Sequence, residues 1–185
     1  MTVSAADRAA VRRQLGRTPR GLRRVAHRCR CGLPDVIETA PRLEDGTPFP
    51  TTFYLTCPRA VGAVGTLEAS GAMALMTQRL HVDADLRQRY RAAHEDYLAR
   101  RVAIERDAME PDAIEPDAIE PHAIDGVPEL AGISAGGMPE RVKCLHVLVA
   151  HSLAAGPGVN PLGDEALAGL EPWGERGPCV SQEQG

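Results

Sequence analysis

Thr51-Thr52-Phe53-Tyr54-Leu55-Thr56-Cys57-Pro58 joins the strongest strand signal in the chain to a helix start. β-Branched and aromatic residues crowd Thr51–Thr56, where they suit a pleated, half-buried surface. Pro58 suits the first position of a helix, where its missing N–H would have no partner anyway. Cys57 therefore falls at a strand-to-helix corner, where helix dipole and free amides favour a thiolate. Working back from this strand, Asp35-Val36-Ile37-Glu38-Thr39 and Gly21-Leu22-Arg23-Arg24-Val25-Ala26-His27 read as two more. They are separated by the turn Cys31-Gly32-Leu33-Pro34 and followed by a Pro41–Pro50 loop containing Glu44-Asp45-Gly46. If the three strands form an antiparallel meander, the first and third run the same way. Cys29 and Cys57 then lie at one edge of the sheet.

The remaining elements read as helices. Ser4-Ala5-Ala6-Asp7 resembles a capping box, with a helix to Leu15 that stops at Gly16. Arg59–Ala69 and Ala72–Leu80 follow. Asp83–Arg106 carries Leu86, Tyr90, Ala93, Tyr97 and Ile104 near helical spacing. Pro139 is expected to open a last helix that buries Val142, Leu145, Val149 and Leu153 and stops at Gly156. Gly156–Gly163 reads as a rigid loop without chemistry. The fold class is α+β: a small antiparallel sheet of about three strands packed by four to five helices. Residues 1–20 form a basic helix and arm, 21–106 the sheet plus helices, and 129–170 the C-terminal helix of the same domain. Between them, 107–128 contains Glu110-Pro111-Asp112-Ala113-Ile114 and its repeats from Glu115 and Glu120. Proline at every fifth position removes backbone donors, and the acids leave little to bury, so this stretch reads as a disordered linker. Residues 171–185 read as a loose tail and Cys179 as a bystander.

Aromatic residues make up 3% of the 185 residues, so the core must be mostly Ala, Val and Leu. A core of that kind buries modest area at roughly 25 cal/mol per Å². Residues 1–31 hold nine arginines against Asp7, a local charge of +8, and the whole chain is −4. The arm could bind nucleic acid, polyphosphate or an acidic protein surface, or pair with its own acidic body. No secretory signal is visible and no apolar run approaches the roughly 20 residues of a membrane span. The expected compartment is the cytoplasm, where thiols stay reduced.

Five cysteines in such a chain point to metal binding or thiol chemistry before disulfides. Cys29, Cys57 and Cys144 with His146 (or His27 or His151) make a three-thiol, one-imidazole set suited to zinc; an iron–sulfur cluster is the rarer alternative. Cys29-Arg30-Cys31 is tighter than a zinc knuckle. On a straight helix Cys144 and His151 share a face about 10 Å apart, and His146 points about 200° away from Cys144. Only an irregular helix start would bring Cys144 and His146 together. The same residues could be small buried core groups. They could also be catalytic, with Cys57 or Cys144 as nucleophile and His146 or His151 as base. Gly136 and Gly137 ahead of a helix N-terminus, with Lys143 and Arg28, are anion-binding candidates.

Several separate blocks resemble a known family. They are Arg28-Cys29, Gly32-Leu33-Pro34, Glu38-Thr39-Ala40-Pro41, Gly46-Thr47-Pro48-Phe49-Pro50-Thr51, Leu55-Thr56-Cys57-Pro58, Val142-Lys143-Cys144-Leu145-His146 and Asn160-Pro161-Leu162-Gly163. Over roughly residues 5–165 the chain is similar to domain-of-unknown-function family 501 (DUF501), common in actinobacteria. The resemblance implies no established activity. It implies that Cys29, Cys57, Cys144 and His146 belong to family motifs, whereas Cys31 is a local feature. Members are often encoded near a septum-formation protein and an exopolyphosphatase-like protein, which implies those as partners. The sequence thus supports three readings. The favoured one is a Cys/His metal site in a structural or regulatory role. The others are a hydrolase-like enzyme acting on a phosphorylated or anionic substrate, and an adaptor using the basic arm.

Overall fold

Three strands pair in the order of the sequence in the computed structural model, which describes residues 3–108, 127–175 and 177–181. β1 (Leu22–Arg28) runs antiparallel to β2 (Pro34–Thr39), with Val25 opposite Ile37 and Arg24 opposite Glu38. β2 runs antiparallel to β3 (Phe53–Leu55), with Ile37 opposite Tyr54. The expected meander is therefore formed. All six residues of β2 are buried, which requires cover on both faces. Two of them are acids, and each is met from β1: Arg24 Nε donates to Glu38 Oε2 at 2.6 Å, and His27 Nδ1 donates to Asp35 Oδ1 at 2.7 Å. Buried carboxylates survive in a central strand only with such partners.

Six α-helices accompany the sheet among the described residues: α1 (Ala5–Leu15), α2 (Pro58–Ala69), α3 (Ala72–Val82), α4 (Ala84–Ala108), α5 (Leu145–Ala155) and α6 (Pro161–Ala168). Ser4 caps α1, its Oγ accepting from Asp7 N at 3.0 Å, and Gly16 ends it with φ +67°. α1 and α5 both pack on β2. α5 is the centre of the molecule, with Leu145, Leu148, Val149, Ala150, His151 and Ser152 all buried. A helix so evenly apolar belongs inside a core. α4 contributes Leu86, Tyr90, Ala93 and Tyr97 to the same core, so three of the few aromatics, Phe53, Tyr90 and Tyr97, share one cluster. Among the described residues no single helix is long and apolar enough to cross a membrane.

Two expectations need correction. Pro139 does not open the last helix. Residues 139–143 form turns, with Lys143 N bonded to Gly136 O and Val142 N to Thr77 Oγ1, and the helix begins only at Leu145. Those backbone groups find partners in the glycine loop and in α3, so no helical ladder is needed there. The segment read as a rigid loop also contains the start of α6. Asn160 is its N-cap, accepting from Gly163 N at 3.0 Å, and Pro161 is its first residue. The repeat 107–128 lies almost wholly outside the described residues, apart from the end of α4 and Val127–Pro128.

Gly163 is present because α6 crosses α5 too closely for a side chain. A Cβ there would collide with Leu148 O and Ser152 Oγ. By helix propensity alone, Gly163→Ala would gain about 1 kcal/mol. The collision opposes that and is larger, because neither a backbone carbonyl nor a buried Ser152 can move aside. The variant is expected to lose about 2 kcal/mol net, read as a lower urea midpoint at unchanged slope. An equal or higher midpoint would show that the two helices can separate freely.

Candidate metal centre

Glu68 lies in the last turn of α2, Cys144 is the N-cap of α5, and His146 is the second residue of α5. Cys144 has φ −156° and ψ 111°, an extended conformation outside the helix. This is the irregular start needed to unite Cys144 with His146: their Sγ and Nδ1 are 3.9 Å apart. His146 Nδ1 also faces Glu68 Oε1 at 3.1 Å, and its Nε2–H donates to Val61 O at 3.1 Å. One ligand atom from each of Glu68, Cys144 and His146 lies within 4.8 Å of the others, and all three residues are half-buried. They are the only such group among the described residues.

Electrostatics hold the group in place. Glu68 Oε1 accepts from Leu145 N at 2.6 Å, so the N-terminus of α5 already carries a carboxylate. Glu68 gains little from its own helix, since a negative charge is disfavoured near a C-terminus. Its position is therefore explained by α5 and by the neighbouring imidazole. His146 is held up at about 9, first by its hydrogen bond with Cys144, against burial, and then by the Glu68 carboxylate and the Val61 carbonyl.

The other sequence candidates lie elsewhere. A single site of Cys29, Cys57, Cys144 and His146 is not assembled, because the first two are not part of the Glu68 group. Cys29 and Cys57 are buried, and their thiols instead neighbour Cys31 and Cys179. His151 is fully buried between the rings of Phe53 and Tyr97, with centroids at 5.9 and 5.2 Å. Its Nε2–H donates to Asp96 Oδ1 at 2.8 Å, and its Nδ1 accepts from Asn160 Nδ2 at 3.3 Å. Burial pushes it below the ordinary histidine range, against the pull of Asp96. With both nitrogens engaged and no solvent contact, it is a core residue and no base. The anion set also separates. Arg28 makes a two-pronged bond to Asp7 at 2.7 and 2.8 Å, while Gly136 and Gly137 lead into turns and not into a helix.

Much of the basic arm is paired at the surface with the chain's own acids and carbonyls. Arg20 pairs with Asp45, Arg24 with Glu38, Arg28 with Asp7 and Arg30 with Glu175, while Arg23 donates to Ile104 O. Sequence reasoning missed Glu68. The available signal was an acid placed alone in Pro58–Ala69, whose other charged residue is Arg59.

A family model described as "Protein of unknown function (DUF501)" matches residues 25–168. No curated protein and no solved structure matches the chain.

Proposed function

We propose, for a chain that belongs to the DUF501 family, that it binds one divalent transition metal, zinc foremost. The ligands are Cys144 Sγ, His146 Nδ1 and Glu68 Oε1. The observation that carries this reading is the convergence of three donors with the second imidazole nitrogen tied to a backbone carbonyl. Metal-bound histidines typically donate their other N–H in this way, which fixes ring and tautomer. Tetrahedral zinc with ordinary bond lengths would set sulfur and nitrogen about 3.6 Å apart and nitrogen and oxygen about 3.3 Å apart. The present separations, 3.9 and 3.1 Å, need only small shifts. One thiolate, one imidazole and one carboxylate suit zinc better than an iron–sulfur cluster, which takes mostly thiolates. Bound there, the ion would clasp the end of α2 to the start of α5 in a structural or regulatory role. A fourth position would remain for water or another donor.

The enzyme reading has less support. A thiol–imidazole–acid relay places the ring between nucleophile and acid, one nitrogen for each. Here thiol and acid both address Nδ1, and Nε2 is spent on Val61 O.

Two measurements test the metal. Protein purified without chelator should contain close to one metal per chain, and its cobalt(II) form should show thiolate-to-metal charge transfer. Substoichiometric metal without that band would end the proposal. Affinity should also rise with pH. Below about 9 the Nδ1 proton of His146 must be displaced. This proton alone contributes about tenfold in affinity per pH unit, and the gain ends above the His146 value. Competition with a chromophoric chelator measures the slope, and a flat profile would remove His146 from the ligand set.

A further inference from the structure

Four of the five cysteines meet at one end of the sheet, remote in sequence from Cys144. Cys29 follows β1, Cys31 lies in the β1–β2 turn, Cys57 is the N-cap of α2, and Cys179 lies beyond α6. The Cys31 thiol interacts with those of Cys29 and Cys179, and the Cys57 thiol with that of Cys179. They form a chain of pairs. No three of them have sulfurs mutually within 4.8 Å, so the arrangement favours pairwise chemistry over a shared ion. All are free thiols; Cys29 and Cys57 are buried, and Cys31 and Cys179 are partly exposed.

The segment bearing Cys179 was expected to be loose, yet it is strapped down. Arg59, in the first turn of α2, donates to Trp173 O at 3.4 Å, Gly177 O at 2.9 Å and Pro178 O at 3.0 Å. Arg30 pairs with Glu175 at 2.6 Å. Gln14 Nε2 reaches both Cys179 Sγ at 3.3 Å and Pro34 O at 2.6 Å. Gly174 sits so close to the turn that a Cβ there would stand 2.9 Å from Cys29 Sγ. Cys179 is thus delivered to Cys31 by several contacts made outside the thiols themselves.

We propose that Cys31 and Cys179 form a thiol–disulfide exchange site for low-molecular-weight disulfides, whose oxidation fastens the C-terminal segment covalently to the β1–β2 turn. The Cys31 thiolate attacks one sulfur of the disulfide RSSR, whose S–S bond breaks and releases RS⁻. The Cys179 thiolate then attacks the Cys31 sulfur of the mixed disulfide and expels the second RS⁻. Two protein thiols are oxidised to one cystine, RSSR is reduced to two RSH, and the two protein protons pass to the departing thiolates. Cys31 is a better first nucleophile than the buried Cys29 and Cys57. Burial opposes its ionisation, but the backbone amides of Leu33 and Cys179 and the neighbouring thiols outweigh it and hold it below the ordinary cysteine range. Cys29 and Cys57 are pushed up, mainly by burial, to about 11 and about 12, and stay protonated.

The test equilibrates the reduced full chain with mixtures of oxidised and reduced glutathione, followed by acid quench, alkylation, intact mass and peptide mapping. The expected product is one intramolecular bridge, Cys31–Cys179, with the loss of two hydrogens. Cys179→Ser should stop at a glutathione adduct on Cys31. Cys31→Ser should form no bridge and stop at a glutathione adduct on Cys179. Oxidation should also slow proteolytic release of the C-terminal segment in the wild type and in neither variant. Adducts spread equally over Cys31, Cys144 and Cys179, or a bridge that persists in Cys31→Ser, would overturn the proposal.

Discussion

Arg101→Ala is expected to lower the unfolding free energy by about 4 kcal/mol, among the largest losses a single substitution causes. Arg101 is only 3% exposed, although it carries a charge. Its guanidinium is met by oxygens from two distant stretches of the chain. The second terminal nitrogen donates to Pro50 O at 2.5 Å, and Nε donates to Thr52 Oγ1 at 3.3 Å. The first terminal nitrogen donates to Leu130 O at 3.4 Å and to Ile133 O. The guanidinium carbon also lies 5.5 Å from the centroid of the Tyr97 ring. One planar fork thus ties α4 to the strand that opens the sheet's third position and to the chain that re-enters at Val127. Alanine takes donors from buried and part-buried carbonyls, each loss costing about 1–3 kcal/mol where the group is shut off from water, and opens a cavity as well. Arg101→Lys should recover little, since a single ammonium cannot span acceptors arranged for a fork. Urea unfolding of both variants gives the answer. Midpoints within about 1 kcal/mol of wild type would mean that water replaces the guanidinium at these carbonyls.

The same residue illustrates where the sequence stops being legible. The helical spacing of Leu86, Tyr90, Ala93 and Tyr97 places α4, but nothing in a local pattern says that Arg101 faces inward. The strands were legible because Thr51–Thr56 and Asp35–Thr39 are strong local signals. The start of α5 was not legible. It depends on Thr77 Oγ1 holding Val142 N and on Glu68 holding Leu145 N, two residues far upstream. α6 had a readable start in Asn160-Pro161, but neighbouring glycines argued for a loop. Gly163 is there for close approach, which sequence cannot distinguish from flexibility. Two of the three residues of the candidate metal site, Cys144 and His146, were readable. Glu68 was not, because a carboxylate becomes a ligand only when another helix start is brought to it. Cys179 was misjudged for a related reason: the tail is held by Arg59, whose reach across the fold leaves no trace in local composition.

Cys144→Ser is expected to separate metal binding from stability, moving the two in opposite directions. Cys144 is the N-cap of α5 and makes no side-chain cap bond. Serine is among the best N-cap residues, so the metal-free variant should be as stable as the wild type or up to about 1 kcal/mol more stable. A hydroxyl does not ionise as a thiol does, so it is a far poorer zinc ligand. Loss of a ligand should exceed the 10–100-fold effect of losing an outer partner, and about 1,000-fold weaker binding is expected. Glu68→Gln should weaken binding to a similar degree while keeping an oxygen for Leu145 N. The two effects cross when metal is added. At about 100 times its dissociation constant, zinc would stabilise the wild type by about 2.7 kcal/mol, and at that concentration it would leave Cys144→Ser nearly unchanged. The wild type would then become the more stable protein only with metal present. Thermal unfolding of both chains with and without zinc reads the crossing directly. If zinc raises both midpoints equally, Cys144 is no ligand, and the meeting of Glu68, Cys144 and His146 serves only to anchor the start of α5.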